Sequence, residues 1–182
     1  MSNLYFPPCP TGCAGSVTPV EFDNCAPEFH WGEVAKVYLG PTTIAAFDVT
    51  SLVAWNSNLS DTVADKIRTL ITLGDLPEAE STETPASGDR IAYGFKKFSL
   101  NFQIDEMNDA NYMFHQMLEC NGQYKLWFES SDGMLFGGND GLLVSIKSNY
   151  IVPAERSAMQ IVKAVATWKS LHSPARSLSP MY

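Results

Sequence analysis

Positive charge is scarce in this chain: 12 Lys and Arg stand against 20 Asp and Glu among 182 residues, a formal net charge of −8, with a sequence pI near 4.7. A surface that neutralises phosphates needs clustered Lys and Arg to displace counterions, so the balance argues against direct nucleic-acid binding. No apolar run approaches the roughly 20 residues of a membrane-spanning helix. The start, Met1-Ser2-Asn3-Leu4, lacks the charged region and apolar core of a secretory signal. The expectation is a soluble, intracellularly made protein with no membrane partner. Catalytic groups are also few. His30, His115 and His172 lie in unlike settings and no serine sits in a Gly-x-Ser-x-Gly elbow, so no nucleophile and base can be paired. Gly137-Gly138-Asn139-Asp140-Gly141 lacks the Gly-Lys-Ser/Thr end of a phosphate-binding loop and reads as a hairpin turn or bulge. Asp132, Asn139 and Asp140 do not match the spacing of an EF-hand. A non-enzymatic protein without a cofactor is expected.

What the chain has is period-two alternation. With 45% hydrophobic residues it can bury one ordinary core, which favours one domain carrying arms. Phe98, Leu100, Phe102 and Ile104 alternate with Lys97, Ser99, Asn101 and Gln103, the pattern of a half-buried strand. The period then changes. Ala110, Met113, Phe114, Met117 and Leu118 recur at steps of three and four, predicting a helix over 108–120 that packs through that face, with Asn108 as its cap and Asn121-Gly122 as its stop. His115 falls on the opposite, solvent side, and Cys120 is expected to pack. Tyr124, Leu126 and Phe128 make a second strand, with Trp127 an apolar exception on its outer face, and Ser130-Ser131-Asp132-Gly133 ends it. Strands over 142–152 and 157–169 follow, divided by a corner at Pro153. The last strand is apolar on both faces, so it is either central or meets another subunit.

Upstream, Glu33–Leu39 reads as a strand with Ala35, Val37 and Leu39 on one side and Val34 and Lys36 on the other. Thr42–Val49 suggests a short strand, with Asp48 or Thr50 capping a helical turn through Leu52, Val53 and Trp55. Lys66–Leu73 is a strand, or a short helix starting at Ser60 or Asp61. Residues 74–89 carry Asp75, Glu78, Glu80 and Glu83 among Ser, Thr and Pro, too little apolar surface to offset ordering, so a long mobile loop is expected. The first 32 residues form a Cys- and Pro-rich arm. Cys9, Cys13, Cys25 and His30 are residue types that hold zinc, but they lack the paired short spacings of common zinc modules, and reduced thiols packed as small apolar groups are favoured.

Together Lys97–Phe102, the helical Asn111-Tyr112-Met113-Phe114, Tyr124–Glu129, the Gly-Gly-x-x-Gly of 137–141 and the closing Ala166-Thr167-Trp168-Lys169 resemble the tail-tube proteins of bacteriophages over roughly Glu33–Lys169. The resemblance implies a mainly β (α+β) fold: an antiparallel β-sandwich or partly open barrel with one flanking helix, over 33–169, between extended arms at 1–32 and 170–182. It implies a structural virion protein, assembled in the host cytoplasm, that forms homo-oligomeric rings or a tube. Neighbouring tail, neck or portal proteins would be its partners, and DNA would pass through the lumen without specific binding. Ring and subunit contacts are then expected at Asp75, Glu78, Glu80, Glu83 and Trp168. The alternative from another class is a small intracellular module that grips a protein partner through the Cys-rich arm, with metal an option, and the acidic loop.

Overall fold

A computed structural model describes residues 32–86, 90–120, 122–155 and 157–182. In chain order its elements are β1 (Val34–Pro41), α1 (Leu52–Asn58), β2 (Arg68–Asp75), β3 (Glu80–Ala86), β4 (Arg90–Ile104), α2 (Asp109–Glu119), β5 (Gln123–Ser130), β6 (Met134–Phe136), β7 (Leu142–Ile151), β8 (Ile161–Ser170) and β9 (Arg176–Leu178). Strands β1, β2, β4, β8, β7 and β5 pair antiparallel in that order, and β5 returns to β1, closing a six-stranded barrel. The fold is therefore mainly β with two helices, and the expected sandwich or partly open barrel is a closed one.

Alternation places the core. Phe98, Leu100, Phe102 and Ile104 of β4 face inward against Val162, Ala164, Ala166 and Trp168 of β8, directly opposite them in register. Burying such a set removes apolar surface at about 25 cal/mol per Å². Strand β8 lies between β4 and β7, so centrality explains its apolar character. One phase prediction fails at β1. A bulge between Val34 and Lys36 adds a residue to the strand, and Val34 joins Val37 and Leu39 in the barrel interior.

A second core lies outside the barrel wall. Tyr38 of β1 and Trp127 of β5 point outward, where the connection from Thr42 to Ile67 covers them with Ile44, Val49 and Trp55. The rings of Tyr38, Phe47, Trp55 and Trp127 meet at centroid distances of 4.9–5.8 Å, within the range of favourable aromatic pairs. This connection contains no strand over Thr42–Val49. Its helix is capped by Ser51, whose Oγ accepts from Ala54 N, while Asp48 Oδ1 instead accepts from the Thr50 backbone and hydroxyl. No helix starts at Ser60 or Asp61.

Helix α2 begins as expected, with Asn108 Oδ1 accepting from Asn111 N at 2.9 Å. Its orientation differs by one step. Phe114, His115 and Leu118 face the protein, whereas Met113 and Met117 are 69% and 43% exposed. His115 is only 4% exposed because Ser148 Oγ lies 3.0 Å from Nδ1 and Glu119 Oε1 lies 3.4 Å from Nε2, partners that make its burial tolerable. Cys120 caps the helix and is exposed rather than packed.

Two segments expected to lack regular structure form strands. Residues 80–86 pair with Lys97–Arg90 as a hairpin rather than a loose loop; a partner strand supplies ladder bonds that composition alone does not reveal, and Pro85 is tolerated because β3 is an edge strand. The C-terminal tail is held by its own chain: β9 pairs with β6, and Ser179 N donates to Gly133 O at 2.8 Å.

Candidate interaction surfaces

The hairpin of β3 and β4 is the most distinctive surface element. Strand β8 pairs with β4 only as far as Lys96, so Arg90–Phe95 pairs with β3 alone and the two form a ribbon beyond the barrel ladder. On it, Glu80 Oε2 meets Lys97 Nζ at 3.2 Å; both groups are well exposed, so the pair contributes at most about 1 kcal/mol. Asp75, at the end of β2, accepts from Asn101 Nδ2 at 3.3 Å on the neighbouring strand. Glu78 lies in the link between β2 and β3, and Glu83 on β3 beside a bulge. The four carboxylates expected at contacts thus lie on or beside one ribbon. Trp168 does not join them. Its side chain is 7% exposed and stacks on Phe98 at 5.3 Å inside the barrel, so it serves the core, a correction to its expected role at a subunit contact. Cys9, Cys13, Cys25 and His30 lie outside the described residues; among the described residues no group of His, Cys, Asp and Glu could hold a metal ion.

The glycine-rich segment is a turn, as expected, and its work is structural. Gly137, Gly138 and Gly141 have φ of +131°, +64° and +73°. A Cβ on Gly137 or Gly141 would come within 2.6 Å of the Trp127 indole, and Trp127 Nε1 donates to Gly138 O at 2.8 Å. The loop wraps the indole face and edge at a distance only glycine permits. Asn139 Oδ1 accepts from Val49 N and Asp140 pairs with Lys125, so these oxygens hold the outer core together.

Sequence pattern missed a buried carboxylate. Glu129 is 1% exposed and accepts from Lys36 Nζ at 2.9 Å, Tyr38 Oη at 2.9 Å and Ser179 Oγ at 2.7 Å. Burial, then the charge of Glu129 and the hydrogen bond to it, pushes the Tyr38 phenol well above the usual tyrosine range, so Tyr38 stays a donor. The cluster ties β1 and β5 to the C-terminal tail.

The order Ser148, His115, Glu119 also places a hydroxyl, an imidazole and a carboxylate in sequence. Tyr150 stacks on the imidazole and Tyr112 meets it at a tilt, and the Glu119 carboxylate is more than half exposed. A base oriented by so solvated a partner is poorly placed for nucleophilic catalysis; the arrangement pins α2 to β7.

No family model matches the chain, and no curated protein matches it.

Proposed function

We propose that the protein is a non-enzymatic building block of a bacteriophage tail or neck, with a tail-tube-like barrel that assembles into rings or a tube. The observation that carries this reading is the two-stranded ribbon of β3 and Arg90–Phe95, which pairs with no other described strand and so carries an open strand edge, with Asp75, Glu78, Glu80 and Glu83 on or beside it. Such an edge favours pairing with another chain. Barrel closure removes most other edges, so subunits join side by side through the free edges that remain, while rings stack through Asp75, Glu78, Glu80 and Glu83 on and beside the ribbon. The net charge of −8 suits a lumen through which DNA passes without sticking, because like charges repel phosphates. In this reading the partners are further copies and neighbouring tail, neck or portal proteins, and the protein resides in the virion after assembly in the host cytoplasm.

Deleting Glu78–Ser87 tests the ribbon. It leaves the closed barrel ladder in place, and shortening a connection changes closure entropy by only about 0.6 kcal/mol per halving. The variant should melt near the parent temperature and form single rings that do not stack under the electron microscope. Full-length tubes from the variant would remove the proposed role of the ribbon.

A further inference from the structure

The two ends of β4 carry surfaces of opposite character. At its C-terminal end, β4 pairs with β2 only through Leu73–Asp75 before the chain turns away toward α2, so Arg68–Thr72 has β1 on one side and no strand on the other among the described residues. Between this edge and α2 runs a groove of ≈450 Å³ floored by Leu70, Met113, Phe114 and Met117, with Asp61 and Arg68 at its rim. A second hollow of ≈190 Å³ shares Arg68, Phe114 and Met117 and carries the groove to Lys66. Arg68 donates to Ser60 O and Lys66 to Ser57 O, and neither has a carboxylate partner among the described residues. Unpaired backbone over a soft apolar floor suits an added strand. At the N-terminal end of β4 the ribbon leaves the barrel ladder. Register sets Glu80 opposite Lys97 and Glu83 opposite Tyr93, so both carboxylates share one ribbon face with Phe95, which is 51% exposed. Glu83 pairs with no cation among the described residues, and the bond of Glu80 to Lys97 is solvated enough to exchange.

We propose that the groove of one copy receives the ribbon of a second copy, laid beside Arg68–Thr72 with its Glu80, Glu83 and Phe95 face toward the floor; the inference rests on the self-association in the reading above and names the receptor of the ribbon. Complementarity carries it. Cations without carboxylates meet carboxylates, and an exposed phenylalanine meets exposed methionines, a favourable sulfur–aromatic contact. Glu80–Thr84 is free of proline and matches the open stretch of β2 in length, so its backbone can supply the missing ladder bonds. A chain cannot fill its own groove. Leu73 lies opposite Gln103 and Glu80 opposite Lys97, so six steps of β4 and the five of β2 from Leu73 to Arg68 hold Glu80 and Arg68 about 37 Å apart along paired strands, at 3.4 Å per residue. Because the two surfaces differ and lie at opposite ends of β4, the contact is head-to-tail and adds copies along the strand direction, as stacked rings require.

Cross-linking tests the contact in the full chain. In a background with all four cysteines changed to Ser, chains carrying Ser81→Cys on the ribbon or Ala110→Cys beside the groove should each give no dimer with a short bis-maleimide, and an equal mixture should give dimers on a denaturing gel. A chain carrying both should give a ladder of dimers, trimers and higher species. Arg68→Glu in the Ala110→Cys chain should lower the mixed yield at least ten-fold, and Glu80→Lys with Glu83→Lys in the Ser81→Cys chain should restore it. A misfolded groove could not be rescued by substitutions on another chain, so loss without rescue would overturn the charge pairing. Dimers from either single-cysteine chain alone would overturn the head-to-tail arrangement, and cross-links confined to monomers of the double variant would overturn the second-copy assignment. Stacked rings under the electron microscope with no dimer in the mixture would remove this contact and leave the ring reading standing, whereas dimers in the mixture from a protein that never forms rings would do the reverse.

Discussion

Replacing Glu129 by Ala removes one carboxylate and strands three donors. Tyr38 is 1% exposed and cannot turn to water, so its hydroxyl should cost about 1–3 kcal/mol once unpaired. Ser179 loses a hydrogen bond to a charged acceptor, worth about 1.5–3 kcal/mol when intact. The Lys36 side chain is one-third exposed and can rehydrate, which limits its share to about 1 kcal/mol. Because these terms are not additive, a total of about 3–5 kcal/mol is expected, the range for breaking a buried charged pair. Urea unfolding gives the measurement, with an unchanged m-value showing that the compactness of the end states is unaltered. Ser179→Ala completes a double-mutant cycle, and its coupling to Glu129→Ala should exceed about 1 kcal/mol. Hydrogen exchange adds a local reading: the Ser179 amide, bonded to Gly133 O, should lose protection when the carboxylate is gone. A loss below about 1 kcal/mol, or strict additivity of the two substitutions, would refute the idea that Glu129 anchors the tail.

Leu118→Ala should destabilise by about 2–5 kcal/mol, whereas Met117→Asp, at a position 43% exposed, should cost under about 1 kcal/mol; the reverse order in thermal melts would return α2 to its methionine face. Gly141→Ala places a Cβ at φ +73° and 2.6 Å from the Trp127 ring, so about 2–4 kcal/mol should be lost, and an unchanged melting temperature would contradict the wrapped-indole packing. Stability should also fall at high pH. Because the Tyr38 pKa is raised in the folded state, its contribution is intact below the ordinary tyrosine value and declines above it, by about 1.4 kcal/mol per pH unit. The difference in slope between parent and Tyr38→Phe above about pH 10 isolates that group, and equal slopes would remove it.

The barrel strands were legible because each has one face in the core, which period two records directly: Phe98, Leu100, Phe102 and Ile104 are all interior. Features that depend on distant partners were not. Glu129 occupies a polar outer position on β5, where Lys36, Tyr38 and Ser179 of the tail gather on a carboxylate that is 1% exposed. His115 is less apolar than Met113, so hydropathy alone turned the helix toward its methionines; hydrogen bonds to Ser148 and Glu119 decide otherwise. Trp127 was visible as an exception but its cover, the connection through Trp55, has no periodicity because it packs as a lid rather than as an element of the barrel. Glu80–Ala86 and Arg176–Leu178 lack strand-like composition and owe their conformation to the β4 and β6 edges that template them. Of the expected contact residues, the acidic group falls together around the ribbon, and Trp168 is withdrawn into the core for the same reason that made it conspicuous, its alternation with Ala164 and Ala166.

Assembly is the central claim, and the size of the full-length protein in solution tests it most directly. Sedimentation across a range of concentrations, with electron microscopy of the same samples and mass spectrometry of purified virions, should find closed rings or tubes with an axial channel and the chain among the virion proteins. A strictly monomeric protein at every concentration, absent from purified virions, would contradict it.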